Sequence, residues 1–162
     1  IYNSFPLKEV IIHPRVRRDF YNGKPDLEAF ARALDACKHT VCYNGDIFIK
    51  EDYVKLSERF PSIDKLMLGR GVIANPGLVR EIKTGQKITK EELRDYHDRL
   101  YVGYLADLGA EQDVLFKMKE VWFYLGNNFK ESDKMIKKIY KAKKPAEYKT
   151  LVKEVWPHLD LL

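Results

Sequence analysis

Two short stretches carry the residue types that could bind phosphate: Val41-Cys42-Tyr43-Asn44-Gly45-Asp46 and Lys65-Leu66-Met67-Leu68-Gly69-Arg70-Gly71. In each, an apolar run stops at a glycine, a charged residue follows, and a helix-like segment begins within a few residues. This is the sequence form of a strand whose C-terminal end enters a loop and then a helix N-terminus. Glycines let the backbone approach an anion closely, free N–H groups point outward there, and the helix dipole favours negative charge. Arg70 adds a guanidinium whose planar fork matches phosphate oxygens. Singly, either glycine also reads as an ordinary tight turn. Together they fit consecutive units of a parallel β/α array, in which phosphate sites often lie at the last two strands of a barrel.

Strands and helices must hold those turns. Leu7 to Ile12 reads as a buried strand ending at His13-Pro14-Arg15, Thr40 to Tyr43 as a second, and Ile63 to Leu68 as a third. Between them, Asp26 can cap a helix with Leu27, Phe30, Ala31 and Leu34 inward, and Lys50 to Phe60 forms another, broken by Pro61 and Ser62. Asn75-Pro76 starts a helix that runs to about Ile82 and stops at Thr84-Gly85. Strands alternating with helices imply a parallel sheet. A parallel strand needs neighbours on both sides, and this chain opens at Ile1 without an initiator methionine, so it is expected to be the C-terminal portion of a longer protein.

From Ile88 the texture changes to long helical patterns. Thr89 and Glu92 form a capping box ahead of the stripe Leu93, Tyr96, Leu100, Tyr104 and Leu108, closed by Gly109. Val114, Leu115, Met118, Val121, Trp122 and Leu125 make the next stripe, then Met135, Ile136, Ile139 and Tyr140, then Tyr148, Leu151, Val152, Val155 and Trp156. Four amphipathic helices with short connections predict an antiparallel bundle, so residues 1–86 are assigned to a β/α portion and 87–162 to a helical domain.

Two segments could meet RNA. The loop from Val16 to Pro25 combines Arg17 and Arg18 with Phe20 and Tyr21, types suited to phosphate contact and base stacking, or to a solvated loop with its aromatics folded over a barrel rim. The run from Lys130 to Lys144 places Lys134, Lys137, Lys138 and Lys141 against only Glu131 and Asp133. Such a run is either a solvated face or a track for an RNA backbone. The net charge of +5 favours a polyanionic partner only weakly.

At 162 residues the chain is too short for a whole (β/α)₈ barrel, which needs about 250. No apolar run approaches the ~20 residues of a membrane helix, and the cytoplasm is the expected compartment. Cys37 and Cys42 have no zinc-ligand spacing and read as small core residues.

At His13-Pro14-Arg15, Tyr21-Asn22-Gly23-Lys24, Asn44-Gly45-Asp46-Ile47, and Met67-Leu68-Gly69-Arg70-Gly71 with Asn75-Pro76, the chain resembles the flavin-dependent tRNA-dihydrouridine synthases. Order and spacing match that family's H-x-R, Y-x-G, N-G-D and G-R-G-x-x-x-N-P blocks, over essentially the whole chain. The resemblance implies the C-terminal portion of a TIM barrel, three parallel βα units, carrying FMN at the strand ends, followed by a helical domain that helps grip tRNA. It implies reduction of the C5–C6 double bond of particular uridines, with NADPH reloading the flavin. By the same resemblance Asn44, Gly45 and Asp46 line the ribityl-phosphate region and Gly69 and Arg70 hold the phosphate. His13 lies near the flavin ring and the uracil, with Arg15 beside it at the mouth and able to meet RNA.

The departures are specific. The family's first flavin-binding turn, its flavin-contacting lysine and the cysteine that protonates the uracil carbon have no counterpart, and Cys37 and Cys42 lie in the wrong places for that acid. Pro14 replaces the commoner alanine or glycine and fixes the backbone between His13 and Arg15. The chain alone is therefore expected to be catalytically inert. The alternatives are an RNA-binding module without chemistry, and another FMN barrel such as a dihydroorotate dehydrogenase. An open barrel edge also raises dimerisation as a possibility.

Overall fold

The computed structural model describes residues 1–17 and 23–162. Arg18, Phe20, Tyr21 and Asn22, named above in the basic loop and the Y-x-G block, lie outside the described residues. Contacts divide the chain into two compact units, Ile1–Gly69 and Arg70–Leu162.

The first unit alternates strand and helix: β1 (Glu9–Ile12), α1 (Leu27–Ala36), β2 (Thr40–Asn44), α2 (Lys50–Arg59) and β3 (Lys65–Met67). The strands form one parallel sheet in the order β1-β2-β3, with Ile12 opposite Tyr43 and Asn44 opposite Met67. β2 is central and reads accordingly, with Val41, Cys42 and Tyr43 all buried. β1 and β3 are shorter than their apolar runs suggest. The apolar run of β1 predicts a buried strand; among the described residues β1 is an outer strand of the sheet, and its Ile11 is 51% exposed.

Asp26 caps α1 by accepting from the Ala29 N–H at 2.9 Å, as its position predicts. The core of the unit is an aromatic trio, in which Phe30 meets the rings of Tyr43 and Phe60 edge-on at 4.9 and 5.0 Å. At the end of the sheet away from the glycine turns, the Lys65 ammonium reaches across β2 to the Glu9 carboxylate at 2.7 Å.

The second unit is helical: α3 (Arg70–Ala74), α4 (Leu78–Thr84), α5 (Lys90–Leu108), α6 (Glu111–Leu125), α7 (Asp133–Lys141) and α8 (Pro145–Val155). α3 has no counterpart in the sequence reading, which passed directly from the Gly-Arg turn to the helix after Asn75-Pro76. It packs on α6, and the Asn128 amide donates to the Ala74 carbonyl at 2.7 Å and to that of Leu125 at 2.8 Å. The stop signal at Thr84-Gly85 therefore ends a helix inside this unit, with Gly85 left-handed at φ 79°. Arg80 then grips Glu92 through two bonds of 2.6 Å, and this pairing, with the Thr89 N–H, holds the Glu92 carboxyl down to about 2.

Helices α5 to α8 share one core around Trp122, Leu115, Met118, Ile139, Tyr148 and Leu159. Gly126, after α6, lies close under Ile136: a Cβ there would come 2.4 Å from the Ile136 Cδ1, which would have to shift. No described helix is long and apolar enough to cross a membrane.

A polar chain runs through that core. His97 is only 3% exposed; its Nδ1 lies 2.8 Å from the Asp98 carboxylate and its Nε2 2.7 Å from the Tyr148 hydroxyl. The Trp122 N–H donates to the same hydroxyl at 3.0 Å. A carboxylate only accepts, so Nδ1 carries the proton, Nε2 accepts from Tyr148, and the tyrosine oxygen accepts from Trp122. Burial pushes His97 below the ordinary histidine value of 6.5 and outweighs the opposing pull of Asp98. Burial also pushes the Tyr148 hydroxyl up.

Because the folded His97 binds its second proton less readily than the unfolded one, stability rises with pH across the histidine range and is lost as pH falls below about 6.5. Both tryptophans sit in this core, so denaturant unfolding followed by tryptophan fluorescence should show a lower midpoint at pH 5 than at pH 7. His97→Gln should flatten that dependence. Tyr148→Phe, which strands the Trp122 N–H and the imidazole Nε2, should cost about 1–3 kcal/mol at pH 7. A pH-independent wild-type midpoint contradicts the assignment.

Candidate functional site

The parallel register decides where the candidate turns lie. Asn44 is the last residue of β2 and pairs with Met67, the last of β3. Gly45 and Gly69 therefore leave the same edge of adjacent strands, and the end of β1, one strand further out, brings His13-Pro14-Arg15 to that edge.

The turn after β1 is tight: the Arg15 N–H donates to the His13 carbonyl at 2.8 Å, while the Asp26 N–H donates to the Pro14 carbonyl at 2.8 Å and closes the loop that follows. Both side chains flanking Pro14 consequently reach the turn after β2. His13 Nδ1 lies 2.7 Å from the Asn44 carbonyl oxygen. The Arg15 guanidinium donates through Nη2 to the Asp46 carboxylate and to the Gly23 carbonyl. The Arg15 side chain is only 2% exposed, against 28% for Asp46. Its Nε and Nη1 are buried without a hydrogen-bond acceptor among the described residues.

The Asn44 amide continues the tie to the next strand by donating to the Met67 carbonyl at 2.8 Å. His13, Asn44, Asp46 and Arg15 thus form one hydrogen-bonded patch joining three strand ends. Asp52, in the first turn of α2, adds a local fixture by accepting from the Phe48 and Ile49 N–H groups at 2.9 and 3.2 Å.

The glycines have different reasons. A Cβ on Gly45 would lie 2.1 Å from the Tyr43 hydroxyl oxygen, so its glycine is dictated by a ring folded back over the turn. A Cβ on Gly69 would meet nothing within 4 Å. Arg70, the next residue, opens α3. Arg17 is exposed, as are Lys134, Lys137, Lys138 and Lys141 on α7. Cys37 follows α1 and Cys42 is buried in β2 with its thiol pushed up by burial, so neither is an exposed thiol at the strand ends. Among the described residues no group of His, Cys, Asp and Glu could hold a metal ion.

Two cavities border this edge. One of about 410 Å³ lies beside the Asp46 turn and includes Lys24, Tyr43, Phe48 and Asp52 in its wall. A larger one, about 620 Å³, runs along β1 past Val10, Ile12 and Ala33 to His13. Both are lined mainly by apolar groups, and the smaller one borders the hydrogen-bonded patch through Asp46, which marks the candidate site.

The two groups that sequence reasoning placed least well are Arg15 and His97. Arg15, expected beside His13 at the mouth, has its side chain only 2% exposed and paired with Asp46. His97 escaped notice because the α5 stripe was counted in apolar residues, although its spacing of four from Leu93 puts it on the buried face.

The dihydrouridine synthase (Dus) family model matches residues 7–156. A tRNA-dihydrouridine(16) synthase of Pseudomonas syringae pv. tomato is 34% identical over 79 residues, 49% of this chain and 25% of that protein. A probable tRNA-dihydrouridine synthase of Rickettsia bellii is 34% identical over 106 residues, covering 62% and 32%. A tRNA-dihydrouridine(16) synthase of Shewanella oneidensis is 25% identical over 157 residues, covering 94% and 48%. The chain spans about half the length of these relatives or less.

The packing at Gly45 is directly testable. Gly45→Ala should destabilise the first unit by about 1–3 kcal/mol, the usual range for overpacking, because Phe30 blocks the Tyr43 ring from swinging away. In a Tyr43→Val background the same substitution should cost less than half as much. Hydrogen exchange of the β2 amides reads both. Equal costs in the two backgrounds would assign the glycine to something other than the ring.

Proposed function

The chain belongs to the dihydrouridine synthase family, and from that membership we propose that it is the C-terminal part of a flavin-dependent tRNA-dihydrouridine synthase. The observation that carries the reading is the shared edge, where His13, Asn44, Gly45, Asp46 and Gly69 sit at the C-terminal ends of parallel strands. That is the position at which parallel β/α folds bind cofactors. The three strands are proposed as consecutive barrel strands, and Ile11 and the apolar cavity along β1 mark the surface a further strand would cover. The helices after residue 86 are proposed as the tRNA-contacting domain.

The donor set suits FMN. Arg15 carries buried N–H groups without acceptors among the described residues, a Cβ at Gly69 would meet nothing within 4 Å, and Gly69 runs directly into Arg70. Asn44, Gly45, Asp46, Gly69 and Arg70 would bind the ribityl-phosphate portion, with His13 toward the ring. Bound and reduced by NADPH, the flavin supplies the hydride for the C5–C6 bond of a uridine. The protein's share is to hold and orient that group and to bring tRNA to it. Neither cysteine is proposed as the proton donor, and the chain alone is proposed to be inactive. The small-molecule alternative fits the family match less well, and the cytoplasm is the compartment in which unmodified tRNA would be met.

The RNA track is proposed along Lys134, Lys137, Lys138 and Lys141, with Arg17 on the basic loop. None of the four lysines has an ion-pair partner among the described residues, so their charge is available to phosphates.

Two measurements test the reading. The full-length polypeptide that contains this chain, loaded with FMN and given NADPH and unmodified tRNA, should form dihydrouridine, and His13→Ala should lower the rate at least tenfold; no product from the wild type defeats the proposal. Replacing the four lysines with alanine should weaken tRNA binding at least tenfold and make it less sensitive to salt, since each lost phosphate contact lowers the slope of log K against log salt by about 0.7–0.9. An unchanged slope would reduce the lysine run to a solvated face.

A further inference from the structure

We propose that the part-buried Arg15–Asp46 ion pair is a positioning device that fixes His13 in its Nδ1–H tautomer and leaves Nε2 as a hydrogen-bond acceptor facing the site. The inference deepens the flavin reading above, but its geometry belongs to the polypeptide alone.

The tautomer follows from chemistry. A backbone carbonyl can only accept, so the 2.7 Å contact between His13 Nδ1 and the Asn44 oxygen requires the proton on Nδ1. In the neutral imidazole, Nε2 then carries a lone pair, and no described residue bonds to it. A neutral His13 held this way accepts from an N–H or O–H of a ligand. It donates to a ligand carbonyl only after taking up a second proton.

What holds the Asn44 carbonyl in place is the turn it belongs to. Asp46, two residues on, is clamped by the Arg15 guanidinium, and the Arg15 side chain is 2% exposed. The same Nη2 reaches the Gly23 carbonyl, so one cation ties the start and the end of the β1–α1 loop to the turn after β2. On the far side, the Asn44 amide is anchored on Met67. The short turn at His13-Pro14-Arg15, with its 2.8 Å backbone bond, leaves the imidazole and the guanidinium little freedom relative to each other. Moving Asp46 moves the Asn44 carbonyl, and without that acceptor the imidazole reverts to the Nε2–H form favoured by free histidine. Arg15 thus acts through Asp46 and Asn44 on His13 and is a positioning residue.

The test is a long-range proton–nitrogen NMR spectrum of the intact chain, labelled with ¹⁵N at histidine, without flavin, at about pH 8, where an imidazole of ordinary basicity is neutral. The wild type should show His13 with a protonated Nδ1 and an unprotonated Nε2. In Asp46→Asn and Arg15→Lys the signals should shift toward the Nε2–H form, and Asp46→Glu should restore at least half of the wild-type pattern. His97 in the same spectra controls for folding of the second unit, and the β2 amide resonances control for the first. A wild-type His13 already in the Nε2–H form overturns the inference without any variant. So does a folded Asp46→Asn whose His13 signals do not move. FMN titration of the same samples is read separately: a locked His13 in a chain that takes up no flavin supports the inference and counts against the flavin reading alone.

Discussion

Parallel pairing on both sides of β2 is the constraint from which the first unit's chemistry follows. In a parallel sheet every strand ends on the same side, so segments far apart in sequence arrive together only because they follow paired strands. Ile12 opposite Tyr43 and Asn44 opposite Met67 leave His13, Gly45 and Gly69 no other edge. The pairing is in turn fixed from within, because β2 can be central only with Val41, Cys42 and Tyr43 all buried, and Phe30, itself packed on Phe60, supplies an aromatic wall against the last of them. At the opposite end, the Glu9–Lys65 bridge links the outer strands across β2. The sheet therefore differs along the strand direction, with an ion pair at one end and candidate chemistry at the other.

Much of this was legible because local signals and long-range order agreed. Asp26 before an apolar stripe, Thr89 three residues before Glu92, and glycine after Leu108 each mark a helix end through a backbone hydrogen bond that one segment forms by itself. The alternation of strand and helix then restricted the sheet to parallel pairing. What remained hidden depends on partners far away in sequence. The ends of β1 and β3 are set by where β2 offers hydrogen bonds, not by where their apolar runs stop. The helix α3 is invisible to periodicity because it is too short to show one, and packing against α6 stabilises it. Gly45 also answers to packing that its sequence neighbours do not advertise, since a Cβ there would meet the Tyr43 ring.

The candidate site shows the same division at the level of single atoms. The residue types pointed to an edge rich in donors, and the edge is there. The roles within it depend on which atoms are already engaged. Arg15 Nη2 is committed to Asp46 and Gly23, the Asn44 amide to Met67, and His13 Nδ1 to a carbonyl. A motif names side chains, whereas only coordinates show which hydrogen-bonding positions remain for anything else.

The chain of bonds through the second unit has a bearing on how this sequence can drift. From Trp122 through Tyr148 and His97 to Asp98, each group has a sense of donation fixed by its neighbour, so the series has a head and a tail. Replacing Tyr148 strands the Trp122 N–H and the His97 Nε2, and replacing His97 strands the Tyr148 hydroxyl, in a dry environment. Homologues should therefore retain the series entire or exchange it wholesale for apolar side chains, with few intermediates between the two.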